Sequence, residues 1–306
     1  MKKTLTIVSR KSLLALCQAN LVKTQLAALH PTLEINIVGI QSTGDRFLDQ
    51  PLATLGGKGL FVKALEDYLL AHRADIAVHS LKDMPHQITE GLALGAILQR
   101  ASPYDAWYSM AYPTLQSLPP QARVGTSSLR RQAQLLALRP DLRIIPLRGN
   151  IDSRLEKLKA GHYEGIILAH CGVERLKMTL PFSTIFSANE CLPAVGQGAL
   201  AIECRVNDHA IQTLIEPLHH RPTAHCVGAE RAMLACLEGG CQTPIAGFAT
   251  LDQDGYLHLE GMVGKTDGSL LLKAEASGST EQILRIGIEV ADKLRQQGAT
   301  ELLRYP

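Results

Sequence analysis

Thr4-Leu5-Thr6-Ile7-Val8-Ser9-Arg10-Lys11-Ser12, running on through Leu13 to Leu29, is the stretch on which the fold turns. Thr4–Val8 is short, apolar and β-branched, and reads as a strand. Ser9 to Ser12 interrupts that run with two cations. Ser12–Leu29 then carries Leu13, Leu16, Ala19 and Leu26 near helical spacing, with Pro31 just beyond. A strand, a tight turn and a helix make the first half of a βαβ unit. The same grammar continues outward: Glu34–Ile40 is β-rich, Lys58–Leu70 is amphipathic through Leu60, Phe61, Ala64, Leu65 and Tyr68, and Asp75–Val78 and Leu92–Leu98 read as short buried strands. Such alternation predicts a mostly parallel sheet with helices on its faces. Ala101-Ser102-Pro103-Tyr104-Asp105 reads as a crossover.

A second α/β series follows. Arg123–Gly125 ends a strand, Ser128–Leu138 is a helix stopped by Pro140, and Leu142–Leu147 is a strand. Asp152–Lys159 is a helix closed by Gly161, and Gly165–Ala169 is a further strand. Past Pro193, Gly196 and Gly198 lead into an apolar strand, Ala199–Glu203, and Thr223–Leu237 is a long helix ending at Gly239-Gly240. The remainder reads as three strands (Ile245–Leu251, Tyr256–Val263, Leu270–Ala276) and a final helix, Thr280–Gln296, with hairpin signals at Gly255 and Asp267-Gly268. Strands joined by turns, with helices set apart, predict a small α+β domain at the C-terminus.

At 306 residues the chain has room for two or three domains, and 46% hydrophobic with 20% charged residues supports real cores. Aromatic content of 4%, with one Trp, argues against a base-stacking platform for nucleic acid. No apolar run approaches the roughly 18 residues of a membrane span. Met1-Lys2-Lys3 opens like a signal peptide, but Ser9-Arg10-Lys11 breaks the apolar core such a peptide needs, so a cytoplasmic protein is expected. Cys17, Cys171, Cys191, Cys204, Cys226, Cys236 and Cys241 are odd in number and form no C-x-x-C, which suits reduced thiols. Most are expected to be small buried groups. Cys241 differs, lying in the loop-like Glu238-Gly239-Gly240-Cys241-Gln242-Thr243-Pro244, where a thiol is either tolerated or functional.

The formal charge of +2 is unevenly spread. Residues 123–154 hold seven arginines and two aspartates, a net +5, against −3 for the remainder. All these cations are Arg, which suits bidentate recognition of carboxylate or phosphate, although a solvated helix face would look similar. Gly125-Thr126-Ser127-Ser128 before Arg130 and Arg131 is a strand-to-helix turn that offers N–H groups to an anion. Arg148-Gly149-Asn150 follows the next strand, where ligands bind open α/β sheets. Gly56-Gly57-Lys58-Gly59 lacks phosphate-loop spacing and reads as a glycine-rich loop carrying Lys58. In His79-Ser80-Leu81-Lys82-Asp83-Met84-Pro85 the Lys–Asp pair is either a surface ion pair or, in an arginine-lined cleft, an acid placed to handle protons or stabilise a cation. His219, His220 and His225 match no metal-ligand spacing, and no metal is expected.

Seven segments in order resemble the porphobilinogen deaminase (hydroxymethylbilane synthase) family. They are Arg10-Lys11-Ser12, Leu55-Gly56-Gly57-Lys58-Gly59-Leu60-Phe61, His79 to Pro85, Gly125-Thr126-Ser127-Ser128-Leu129-Arg130-Arg131, Leu147-Arg148-Gly149-Asn150, Leu192-Pro193-Ala194-Val195-Gly196-Gln197-Gly198 and Leu237-Glu238-Gly239-Gly240-Cys241. The chain departs from the family at Leu13, where Pro is common, at Cys17, often Trp, and at Arg100–Asp105, where acidic residues and a second Arg are usual. The resemblance implies an α/β fold: two periplasmic-binding-protein-like domains, 1–99 with 199–217 and 100–198, plus a small α+β domain, 218–306, that carries the cofactor cysteine. It implies a dipyrromethane thioether-linked to Cys241, on which four porphobilinogen molecules are deaminated and joined before hydrolysis releases linear hydroxymethylbilane.

Residue by residue, the resemblance implies catalytic roles for Asp83, Arg10, Lys82 and Arg148. Asp83 would hydrogen-bond pyrrole N–H groups, stabilise the azafulvenium cation left by ammonia and assist proton transfer. Ser80, Lys82, Asp83, Thr126, Ser127, Ser128, Arg130 and Arg131 would hold the cofactor. Arg10, Ser12, Gln18, Arg148, Gly149, Asn150, Arg154, Arg175 and Gln197 would bind substrate, and Lys58 with Phe61 would belong to a loop or lid. A monomer is expected, with no nucleic acid and no membrane partner. The competing readings are a non-enzymatic small-anion binder of the same two-lobed architecture, which explains the arginines but neither Asp83 nor Cys241, and nucleic-acid binding through residues 123–154.

Overall fold

The computed structural model describes residues 3–41, 62–239 and 243–304. In chain order the first elements are β1 (Thr4–Arg10), α1 (Leu13–Leu29), β2 (Glu34–Ile40), α2 (Lys63–Leu70), β3 (Ile76–Ser80) and β4 (Leu92–Ile97). Next come β5 (Asp105–Ser109), β6 (Arg123–Gly125), α3 (Leu129–Leu138), β7 (Arg143–Ile145), α4 (Ile151–Lys159), β8 (Gly165–Ala169), α5 (His170–Arg175) and β9 (Phe182–Ile185). The chain continues through β10 (Leu200–Arg205), α6 (His209–Ile215) and α7 (Arg221–Cys236). It closes with β11 (Ile245–Leu251), β12 (Tyr256–Gly264), β13 (Leu271–Ser279), α8 (Ile283–Gln296) and α9 (Ala299–Arg304). Two compact units result, residues 1–101 with 198–224, and residues 102–197 with 225–306.

The first unit holds a five-stranded sheet in the order β2-β1-β3-β10-β4. β1 is parallel to β2 and β3, whereas β10 runs antiparallel to β3 and β4. The expectation of a mostly parallel sheet is therefore corrected to a mixed one. The physical reason is that β10 enters this sheet from the other unit rather than through a local βαβ crossover. Period-two alternation sorts the side chains: Leu5, Ile7, Ile76 and Val78 join a core with Ala19, Val22 and Leu26 of α1, while Val8 and Ala77 join one with Leu65 and Leu69 of α2.

In the second unit the five-stranded order is β7-β6-β8-β5-β9, with β6 parallel to β7 and β8 and with β5 antiparallel to β8 and β9. Strand for strand this repeats the first sheet, including an antiparallel fourth strand. β5 is one of the elements the sequence did not declare, since Asp105 was read as crossover and not as the start of a strand. Trp107 of β5 is fully buried, and its ring occupies the space a Cβ on Gly165 of β8 would need. β11, β12 and β13 form a separate antiparallel sheet in this unit. α7 and α8 cover it, with Met233, Ile286, Val290 and Leu294 packed on Leu257, Leu259 and Val263.

Candidate functional site

Parallel strands deliver their following turns to one edge of a sheet. In the first unit β1 therefore presents Arg10-Lys11-Ser12 beside the turn after β3, Ser80-Leu81-Lys82-Asp83. Ser12 caps α1, its hydroxyl accepting the Ala15 N–H at 3.4 Å. The Lys11 N–H donates to Ile40 O at 3.0 Å. Leu81 and Met84 are buried and pin the single helical turn Leu81–Asp83, whose Leu81 N–H donates to Ala199 O at 3.0 Å. Lys82 and Asp83, between those anchors, are half-buried, as is Arg10. Gln18 is 4% exposed and donates through Nε2 to Ser80 Oγ at 2.9 Å, so it braces the strand end from α1. This edge sets one carboxylate among cations and hydroxyls, a donor set that suits a ligand bearing both N–H groups and carboxylates.

At the corresponding edge of the second unit, Thr126, Ser127 and Ser128 follow β6. Ser128 caps α3 by accepting the Arg131 N–H at 3.5 Å, and the Thr126 hydroxyl accepts the Ser128 N–H at 3.1 Å. Ser127 Oγ donates to Leu147 O at 3.1 Å and accepts the Leu147 N–H at 3.0 Å, which ties this turn to the one after β7. That second turn is Arg148-Gly149-Asn150, in which Gly149 has φ +109°, a conformation that favours glycine. Its carbonyl accepts Arg154 Nε at 2.7 Å. Arg148 and Arg154 are half-buried, and Arg175 is likewise half-buried at the end of α5.

Arg130 and Arg131 differ from the expectation. They are 4% and 6% exposed and turn inward, onto Asp105. Arg130 meets Asp105 Oδ2 at 2.7 Å and donates to Leu192 O at 2.7 Å. Arg131 meets Asp105 Oδ1 at 2.7 Å and donates to Ile167 O at 3.0 Å. Gln197, expected at the substrate, is fully buried and donates to Asp105 Oδ1 at 3.0 Å and Pro103 O at 2.7 Å. Burial alone would raise the Asp105 pKa, but the two guanidinium groups outweigh it and hold the carboxyl well below the usual range. Cys191, whose Sγ lies 3.5 Å from Asp105 Oδ2, is pushed up to about 12 by burial and that negative charge, which makes it an inert thiol. With one carboxylate against two guanidinium groups the cluster keeps a formal +1, so it still favours an anion at this edge. Asp105 is the residue that sequence reasoning missed; its signal was an acid at the head of the apolar run Ala106-Trp107-Tyr108.

Two further arginines of the arginine-rich segment are also paired with acids. Arg123 pairs with Glu164 and Arg139 with Asp141, so four of its seven arginines are committed to carboxylates of the second unit. His219 and His220, read as surface or core groups, bind backbone: His219 Nδ1 accepts the Ile97 N–H at 3.2 Å and His220 Nδ1 the Thr223 N–H at 3.2 Å. Cys171, Cys191, Cys204 and Cys226 are buried thiols. Cys241, Lys58 and Phe61 lie outside the described residues.

The profile of the porphobilinogen deaminase dipyrromethane cofactor-binding domain matches residues 5–213, and that of the porphobilinogen deaminase C-terminal domain matches residues 224–296. The chain belongs to the porphobilinogen deaminase family. Porphobilinogen deaminase of Lawsonia intracellularis (strain PHE/MN1-00) is 48% identical over 301 residues, covering 98% of this chain and 97% of the relative. Membership makes the chain a hydroxymethylbilane synthase, a transferase of porphyrin biosynthesis that joins porphobilinogen units on a dipyrromethane. Among solved structures, the periplasmic aliphatic sulphonate binding protein SsuA from Escherichia coli has a TM-score of 0.42 at 12% identity, covering 78% of this chain and 71% of that one. The amino-acid transporter binding protein ytmK from Bacillus subtilis has a TM-score of 0.42 at 12% identity, covering 71% of this chain and 90% of that one. Likeness that slight has no bearing on function. Among the described residues no helix is long and apolar enough to cross a membrane.

Proposed function

We propose that Asp83 is the acid–base and cation-stabilising group of this synthase, and that the cofactor is held as a thioether on Cys241. The observation that carries the reading is the Leu81–Asp83 turn: buried Leu81 and Met84 fix its backbone, and Lys82 and Asp83 stand half-buried beside Arg10. A carboxylate there accepts pyrrole N–H groups and offsets the positive charge that develops when ammonia leaves the substrate. Its restricted solvation strengthens that interaction relative to water. Each unit has its own groups suited to the acetate and propionate of a pyrrole: Lys82, Arg10 and Ser12 in the first, and Arg148, Arg154, Arg175 and the Thr126–Ser128 hydroxyls in the second.

When bound, a dipyrromethane would supply the pyrrole carbon to which substrate is joined. The residues suit it: one acid for ring N–H groups, and an excess of cations and N–H donors for its carboxylates. Gln18 and Gln197 serve through other residues, Gln18 by bracing Ser80 and Gln197 by holding Asp105. Residues 218–306 form the domain that carries the cofactor cysteine, and the protein works as a cytoplasmic monomer. Intact-mass analysis with peptide mapping tests the attachment: an adduct of two condensed pyrroles is expected on the Cys241 peptide, and an unmodified thiol in active enzyme would refute it. Cys241→Ser is expected to yield folded protein without the chromophore.

A further inference from the structure

Beneath the functional edge of the first unit lies a second cluster of ionisable groups that the reaction does not use. Glu66 of α2 is 6% exposed, His79 of β3 is 7% exposed, and Glu203 of β10 is fully buried. In the antiparallel register His79 faces Ala201 and Ala77 faces Glu203, so His79 and Glu203 are diagonal neighbours on one face of the sheet. His79 Nε2 lies 3.0 Å from Glu203 Oε2. That face is otherwise apolar, formed by Val8, Leu65, Leu69, Ala77 and Leu92. Glu66 Oε1 and Glu203 Oε1 are both buried with no hydrogen-bond partner.

Two carboxylate oxygens left bare in an apolar core are costly if both groups are ionised. A metal ion would relieve them, but among the described residues no group of three or more His, Cys, Asp or Glu is arranged to hold one. A proton on Glu66 relieves both at once. It turns Glu66 Oε1 into a donor, and Glu203 Oε1, reached directly or through one buried water, into its acceptor. We propose that Glu66, Glu203 and His79 form a proton-sharing positioning unit, with the shared proton held on Glu66, that ties α2 to the strand end delivering Lys82 and Asp83.

The surroundings agree. Burial is the main cause that raises the Glu66 pKa, the Glu203 and Asp67 charges add to it, and a hydrogen bond with Thr89 and the charge of His79 oppose it. α2 also packs on β1 and β4. β4 has no ionisable side chain, and β1 has only Arg10, at its outer end. On β10 the other charged group is Arg205, whose guanidinium donates to Leu69 O at 2.8 Å and Ala74 O at 2.7 Å and pairs with Asp208 and Asp75. Glu66 belongs to α2 and His79 directly precedes Ser80, so the unit joins α2 to the strand end that the proposed function uses.

The positioning part rests on the role of Asp83, so the test separates the two. In the wild-type holoenzyme the infrared carbonyl band of a protonated carboxylic acid is expected near neutral pH, and Glu66→Gln should remove it. Glu66→Gln should also keep kcat within about twofold, because Gln preserves a donor, and lose less Tm than wild type as pH rises above the ordinary carboxylate range. For Glu203→Gln, kcat should fall about tenfold or more with KM little changed, as expected when the Asp83 turn is misplaced. If that variant does not fold, His79→Asn takes its place with the same expectation. Absence of the acid band, an equal loss of Tm with pH in wild type and Glu66→Gln, or a Tm raised by added divalent or monovalent cation would overturn the shared proton. A wild-type kcat in Glu203→Gln or His79→Asn would overturn the positioning role. Failure of the functional reading shows elsewhere, as an unmodified Cys241 peptide or an active Asp83→Asn enzyme.

Discussion

Asp83 and Asp105 sit in sheets of the same strand order, each beside cations, and are put to opposite use. Asp83 follows a strand, on a turn whose apolar residues are buried and whose charged ones are half-buried. Asp105 begins a strand, is fully buried, and accepts from Arg130, Arg131 and Gln197. The first keeps part of its surface open at the strand-end turn. The second consumes two arginines that the sequence alone offers to a ligand. Counting cations therefore overstates the charge available for binding, because each buried acid must be neutralised before any surplus faces outward.

The largest effect is expected where that neutralisation is removed. Asp105→Asn leaves two buried guanidinium groups without their counter-charge and should cost about 3–5 kcal/mol in chemical denaturation. Its pH signature has a definite sign. A carboxyl held below its unfolded value contributes stability that is complete above about pH 4 and is lost as pH falls toward the depressed folded value. Wild type should thus lose more stability on acidification than Asp105→Asn, and equal acid slopes would break the contrast between the two aspartates.

Asp83→Asn should do the reverse, lowering kcat about 100-fold or more while leaving the denaturation midpoint nearly unchanged. More than about a tenth of wild-type activity would contradict a central role. Gly165→Ala, which forces a Cβ against the buried Trp107 ring, should destabilise the second sheet by about 1–3 kcal/mol, read by thermal unfolding with tryptophan fluorescence. The smallest effect, about 1 kcal/mol, is expected for Ser128→Ala, which removes the cap of α3. A much larger drop in activity than in stability there would mark the Ser128 hydroxyl as a ligand contact as well as a cap.

Much of the fold was legible. The helix after Ser12, the strands at Glu34–Ile40 and Gly165–Ala169, and the three C-terminal strands were read from periodicity and turn residues to within a few positions. The mixed character of the sheets was not. β10 and β5 look like any apolar run, and their direction is set by the strands they pair with, which the run itself does not reveal. β9, Phe182–Ile185, was also missed, since it is four residues long with three of them exposed and shows no burial pattern to read. The placement of Arg10, Ser12, Lys82 and Asp83 at one edge was legible because they end or follow parallel neighbouring strands. The use of Arg130, Arg131 and Gln197 was not, because it depends on Asp105, which is at least 25 residues from each of them in sequence.

From the sequence alone came the family, the alternating α/β plan and the residues that carry charge to the strand ends, since motif order and hydrophobic period are local properties of the chain. Only the tertiary structure decided which charges are paired inside and which stay partly exposed at the strand ends. It also showed that Glu66, His79 and Glu203, from three separate elements, share one apolar compartment. Both outcomes depend on long-range pairing: burial and counter-charge exist only once distant segments have been brought together.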